Sequence, residues 1–280
     1  MFQFPIGVML DSFRLPIREA LVKAREVGAA GLQVYATAGE MAPENMSAAD
    51  RAEFVRMAAD HGLTIAALCG DIGGFAKIER NPSQIERSKR IMDLAKDLGC
   101  DVVTTHIGVI PDDPAAEYFK IYQDACNELG AYGESIGAHF AIETGPETCA
   151  TLKQFLDSLD NRGVGVNFDP ANLVMVTGDD PVAGVRLLGD YIHHTHAKDG
   201  VMVKPGDPME IYHMVDHVVA YDEYFLEVPL GEGSVDWPNY LAALEEIGFR
   251  GFLTIEREVG DNPEADIRLA VDFLKRQLNS

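Results

Sequence analysis

Basic residues are scarce in this chain: 23 Lys and Arg stand against 45 Asp and Glu, a formal net charge of −22 at pH 7. A surface so acidic repels a phosphate backbone unless a local basic patch cancels the field. No such patch is visible, since pairs such as Lys89-Arg90 and Lys275-Arg276 fall at spacings that place them on solvated helix faces. Nucleic acid is therefore not an expected partner. Cysteine is sparse as well. Cys69, Cys100, Cys126 and Cys149 show no CxxC spacing, which excludes a disulfide scaffold and a thiolate zinc site and fits a reducing compartment. No apolar run approaches the length of a membrane span. Met1 to Pro5 opens without the basic-then-apolar pattern of a secretory leader, so a cytoplasmic protein with no membrane partner is expected. Also absent are GxGxxG and Walker sequences, which a doubly wound nucleotide-binding sheet would carry after an early strand.

What is present is a rhythm. Short runs of Val, Ile and Leu alternate with longer segments of helical period, the pattern of βα units feeding a parallel sheet. The expected strands are residues 6–10, 31–35, 63–69, 102–107, 139–143, 164–169, 192–197 and 252–256. Between them, Pro16 to Glu26, Ser83 to Leu98, Ala115 to Ile136 and Pro238 to Ile247 repeat apolar residues every three or four positions and read as outer helices. Gly28, Gly99 and Gly248 each follow such a segment and precede the next strand, where a left-handed residue stops a helix. With 280 residues, 47% of them hydrophobic, the chain has about the length of one (β/α)8 TIM barrel and enough apolar side chains to fill it. A doubly wound open sheet is the alternative. The rhythm fails once, from Asp199 to Asp236, a stretch with Pro205, Pro208 and Pro229. It is expected to be a long loop over the C-terminal mouth of a single-domain barrel.

Reactions in such barrels are run where strand ends converge. Four consecutive strands here end in Ile142-Glu143-Thr144-Gly145, Asn167-Phe168-Asp169-Pro170-Ala171-Asn172, His194-Thr195-His196-Ala197-Lys198-Asp199 and Ile255-Glu256-Arg257-Glu258. Any one of these acids could simply cap a helix or pair with a base, but four in register point to a shared task. Glu143, Asp169, His196 and Glu256 would bring three oxygens and one nitrogen to a common point. That is a set for one divalent ion with open positions. Manganese is the first expectation, with magnesium, cobalt, iron(II) or zinc as alternatives.

These runs, together with Leu230-Gly231-Glu232-Gly233, resemble in order and spacing the xylose-isomerase-like TIM-barrel superfamily of sugar phosphate isomerases and epimerases. The likeness covers most of the chain and is strongest from Ala141 onward. It implies that Glu143, Asp169, His196 and Glu256 occupy the superfamily's metal-ligand positions. By analogy with ketose epimerases it further implies that Glu143 and Glu256 are the catalytic pair. Asn172 stands where those epimerases carry a substrate-contacting histidine, a departure that leaves the exact substrate open. The endonuclease branch of the superfamily gathers additional histidines for which this chain offers few counterparts. The implied activity is isomerisation or epimerisation of a sugar, sugar phosphate or cyclitol by removal of a proton next to a carbonyl. The enediolate so formed needs a preorganised positive partner.

Further residues are substrate-binding candidates. His106 ends the fourth strand, Glu147 follows Glu143 by four positions, and His194 shares the inward face of its strand with His196 whereas His193 faces the helices. Lys198 could neutralise substrate or pair with Asp199, and Glu232 could reach inward or stay solvated. His213 and His217 have a helical metal-pair spacing beside Asp216 but lack a third convergent ligand, so a solvated helix is expected there. Trp237 reads as packing, and His61 and His139 as structural or exposed. Two other functions compete: a metal-dependent dehydratase acting on a keto-inositol, and a non-catalytic barrel that only binds metal or carbohydrate. A homo-oligomer is compatible with the sequence, which carries no readable interface.

Overall fold

The computed structural model describes residues 2–215 and 220–279. Its centre is a closed barrel built from β1 (Ile6–Met9), β2 (Gly31–Tyr35), β3 (Thr64–Cys69), β4 (Val102–Thr105), β5 (His139–Glu143), β6 (Val164–Phe168), β7 (Ile192–Ala197) and β10 (Leu253–Ile255). The order around it is β1-β10-β7-β6-β5-β4-β3-β2, and every neighbouring pair runs parallel. Strands covered on both faces can be apolar throughout. β1, β4 and β6 are buried at every position, which is why short Val- and Ile-rich runs, and not alternating ones, marked them. The strands start and stop where the sequence places them, with small losses at the ends. β4, for example, closes at Thr105 and leaves His106 and Ile107 outside the ladder.

Around the barrel lie α1 (Ile17–Val27), α2 (Ala48–Asp60), α3 (Asn81–Asp97), α4 (Glu117–Ile136), α5 (Cys149–Asp157), α6 (Pro181–Leu188), α7 (Trp237–Glu246) and α8 (Pro263–Leu278). Their apolar stripes meet the outer faces of the strands in one large core that includes Leu21, Ile91, Leu129, Phe155, Leu241 and Leu274. Gly28, Gly99 and Gly248 have the positive φ that ends the preceding helices. Inside the barrel the filling is small or polar: Ala67, Val102 and Ala141 form a cluster of their own. Above them the Gln33 amide donates to Thr104 Oγ1 at 2.8 Å and its oxygen lies 3.0 Å from His194 Nε2.

The interval expected as a loop holds more structure than the sequence announces. β8 (Asp199–Met202) and β9 (Phe225–Val228) form an antiparallel hairpin, with one helical turn at Pro208–Ile211 between them. A buried carboxylate fixes its base. Asp199 accepts hydrogen bonds from the backbone N–H groups of Gly200, Gly231 and Val235 and from the Trp237 indole, at 2.9 to 3.1 Å. Trp237 is thus packing, as expected, and also the donor that ties this hairpin to α7. His217 and Asp216 lie outside the described residues. No described helix is long and apolar enough to cross a membrane, and the four cysteines are free and buried.

Candidate metal centre and active site

β5, β6, β7 and β10 are adjacent around the barrel, so their ends deliver Glu143, Asp169, His196 and Glu256 to one place. One donor atom from each lies within 4.8 Å of all the others, and all four residues are buried. His196 Nδ1 is 3.3 Å from Glu256 Oε2, 3.5 Å from Asp169 Oδ2 and 3.6 Å from Glu143 Oε1.

The surroundings aim these atoms. Asn167 and Asn172 donate their side-chain amides to the two Glu143 oxygens, each at 3.0 Å. Asp169 Oδ1 caps the following turn by accepting from Ala171 and Asn172 N–H, while Thr144 Oγ1 accepts from Asp169 N–H. Asn172 reaches Glu143 because Gly145 lacks a side chain. With φ at +135°, a Cβ there would come within 2.4 Å of Asn172 Cβ. Gln33 Oε1 lies 3.0 Å from His196 Nε2, which makes that nitrogen an N–H donor and turns Nδ1, the atom a metal would take in place of a proton, toward the carboxylates.

That orientation tests the fit to a metal. His196 Nδ1 and Asp169 Oδ2 are buried without a hydrogen-bond partner, and an unmet buried acceptor costs about 1–3 kcal/mol. Three carboxylates and an imidazole lone pair repel one another unless protons or a cation lie between them. Burial disfavours charge on His196, yet Glu256 and Glu143 outweigh it and hold its pKa well above the ordinary value. Hard oxygens with a single nitrogen are the donor set of a divalent ion with open coordination positions, so the residues present fit the group.

Beside the cluster, the Lys198 ammonium is buried between Glu256, at 3.1 Å, and Glu258. Burial pushes the Glu256 pKa up, but His196 and Lys198 prevail and hold it below the usual carboxylate range. Lys198 does not pair with Asp199. Adjacent residues on a strand point to opposite sides, and Asp199 is committed to the hairpin. His106 donates through Nδ1 to Asp71 Oδ2 at 3.1 Å, leaving Nε2 unpartnered and 3.8 Å from Glu143 Oε1. Burial lowers its pKa, but Glu143 and Asp71 raise it to about 9.

The cluster opens into a cavity of about 610 Å³ lined by Glu143, Glu256, His106, Asn172 and Lys198 among others, within the size of small-molecule sites. Ile211, Tyr212 and His213 from the hairpin segment also line it, and His213 contacts the Tyr221 hydroxyl. Three further candidates stand elsewhere. His194 is buried deeper in the barrel against Gln33. Glu147 is buried against Ile110 N–H and does not line the cavity. Glu232 stays exposed in the turn after Pro229, because its backbone N–H closes that turn. His193 stacks on His139 outside the barrel, and His61 bonds the Met57 carbonyl.

The sequence reading missed Gln33, Asn167, Asp71 and Tyr212. Asn167 carried a signal, since it lies two positions before Asp169 on the same strand face. So did Gln33, the one amide side chain inside Gly31–Tyr35. Tyr212 had none.

Residues 21–277 match the family described as xylose isomerase-like TIM barrel. The chain belongs to that family. An inosose dehydratase of Lacticaseibacillus casei is 29% identical over 126 residues, 45% of this chain and 41% of that protein, so the match spans less than half of the curated relative. Among solved structures, a xylose isomerase domain protein from Planctomyces limnophilus superposes with a TM-score of 0.79 at 25% identity over 99% of this chain and 97% of that one. A D-allulose 3-epimerase from Methylomonas sp. gives 0.72 at 17% identity over 99% of each chain, a likeness of fold.

Proposed function

We propose that this protein is a divalent-metal-dependent isomerase or epimerase. Its substrate is an unphosphorylated sugar or cyclitol, from which it removes a proton next to a carbonyl. The observation that carries the reading is the buried meeting of Glu143, Asp169, His196 and Glu256, whose donor atoms lie within 4.8 Å of one another and of which Glu143 and Glu256 line a ligand-sized cavity. When bound, the ion supplies positive charge against the oxygen of the developing enediolate. Glu256 has the Lys198 ammonium 3.1 Å away, which favours the ionised state a base requires. Glu143, oriented by two amides, is the second proton carrier. His106 Nε2 faces the cavity as a contact for a substrate hydroxyl. The cavity's cations are already engaged, Lys198 by two glutamates and His106 by Asp71. Asp71, Glu227 and Glu258 add negative charge, which disfavours a phosphate.

A second reading, dehydration of a keto-inositol, is favoured by the similarity to the L. casei inosose dehydratase. It begins with the same proton removal and ends with loss of hydroxide. Both are tested by incubating the manganese-loaded protein with ketoses and inososes in heavy water and following α-proton exchange by NMR. Exchange without loss of water supports the first reading, and a product lacking one hydroxyl supports the second. Glu143→Gln and Glu256→Gln are each expected to slow exchange by roughly 10²–10⁴-fold. A metal-loaded protein that exchanges no substrate would leave a binding barrel and overturn both.

A further inference from the structure

The cavity is larger than a six-carbon polyol requires, and its walls combine polar groups with a set of apolar ones. Near the cluster the lining is polar: Glu143, Glu256, His106, Asp71, Asn172 and Lys198. The remainder mixes three tyrosines, His213, Glu227 and Glu258 with six apolar residues, Met175, Val176, Ile211, Phe225, Leu226 and Val259. None of these six offers a side-chain hydrogen bond, and a polyol pressed against them would lose its water without replacement. Aromatic rings can pack against the C–H face of a sugar. Aliphatic side chains have no such use for a hydroxylated ligand.

The rim repeats the message. Tyr35 is 36% exposed, Tyr221 42%, Leu226 44% and Val259 45%, and all four border this one cavity. They come from different parts of the chain: the end of β2, the hairpin segment and the stretch after Glu256. Convergent apolar exposure at the mouth of a polar pocket marks a place where apolar surface is covered by a ligand.

From this we infer that the natural substrate is a conjugate: a carbonyl-bearing sugar or cyclitol ring, gripped at the ligand cluster, joined to an apolar group that occupies the rest of the cavity. The inference deepens the proposed function and rests on it for the sugar half, whereas the apolar half stands on the walls alone.

The matched probes are phenyl and methyl β-D-glucopyranoside, which differ only in the group meant for the apolar wall. Each is titrated calorimetrically into the manganese-loaded protein. The phenyl compound is expected to bind about tenfold tighter or better, the worth of removing a phenyl surface from water. Leu226→Ser and Val259→Ser, both at exposed positions that folding tolerates, are expected to pull the phenyl affinity toward the methyl value. Equal affinities, or no binding of either probe up to millimolar concentration, would overturn the inference. So would a finding that either substitution dissociates an oligomer, because the rim would then belong to an interface between copies. Metal uptake is titrated separately. A protein that takes no ion but prefers the phenyl compound defeats the proposed reaction and leaves this inference standing, and one that takes the ion without that preference does the reverse.

Discussion

Glu147 shows how differently two nearby carboxyls behave. Glu143 is met by two amide donors. Glu147 has one backbone N–H for Oε2 and nothing for Oε1. Burial, only partly offset by that bond to Ile110 and by His106, pushes its pKa up to about 8 from 4.5. Between those values the folded chain keeps a proton that the unfolded chain has released, so stability falls as pH rises through that window. The loss is on the order of 4 kcal/mol by pH 8.5. Glu147→Gln keeps an acceptor for Ile110 and removes the titration. Its urea midpoint is expected to fall less steeply from pH 6 to 8.5 than that of the parent, the remaining slope belonging to His106, and identical declines would refute the assignment. At this scale the strand-end acids were legible because barrel geometry makes position equivalent to direction. Gln33 was harder to find, since its role lies in what it does to His196, a residue far along the chain.

Among the elements, the β8–β9 hairpin is the one the sequence concealed. Its strands are four residues each, half exposed, and separated by a stretch with Pro205 and Pro208, so neither length nor alternation distinguishes them from loop. What holds them is Asp199, whose burial could not be foreseen from its place beside Lys198. Asp199→Ala strips three backbone donors and the Trp237 indole of their acceptor. The expected cost is on the order of 3 kcal/mol or more in chemical denaturation, since bonds to a charged group carry about 1.5–3 kcal/mol each. Proteolytic cleavage within residues 203–224 should precede global unfolding. A variant as stable and as resistant as the parent would show that the carboxylate is dispensable. The barrel strands were readable for the opposite reason: burial on both faces leaves little but Val, Ile, Leu and Ala permissible.

For the whole molecule, the proposed metal would link binding to folding. The unfolded chain scatters the four donors over residues 143 to 256, so an ion that binds only the folded form adds about 2.7 kcal/mol at a hundred times its dissociation constant. Manganese is expected to raise the thermal midpoint by roughly 5 °C or more, and EDTA to reverse it, in a scan at fixed protein concentration. An unchanged midpoint would contradict the proposed centre. The acidic surface, at −22 overall, deepens the attraction for cations without selecting among them.

All four donors come from one contiguous arc, β5-β6-β7-β10. The opposing arc contributes Tyr35, Cys69, Asp71 and His106 to the cavity, and Gln33 to the orientation of His196. The arc that would hold a metal therefore depends on the opposing arc for the aim of its one imidazole.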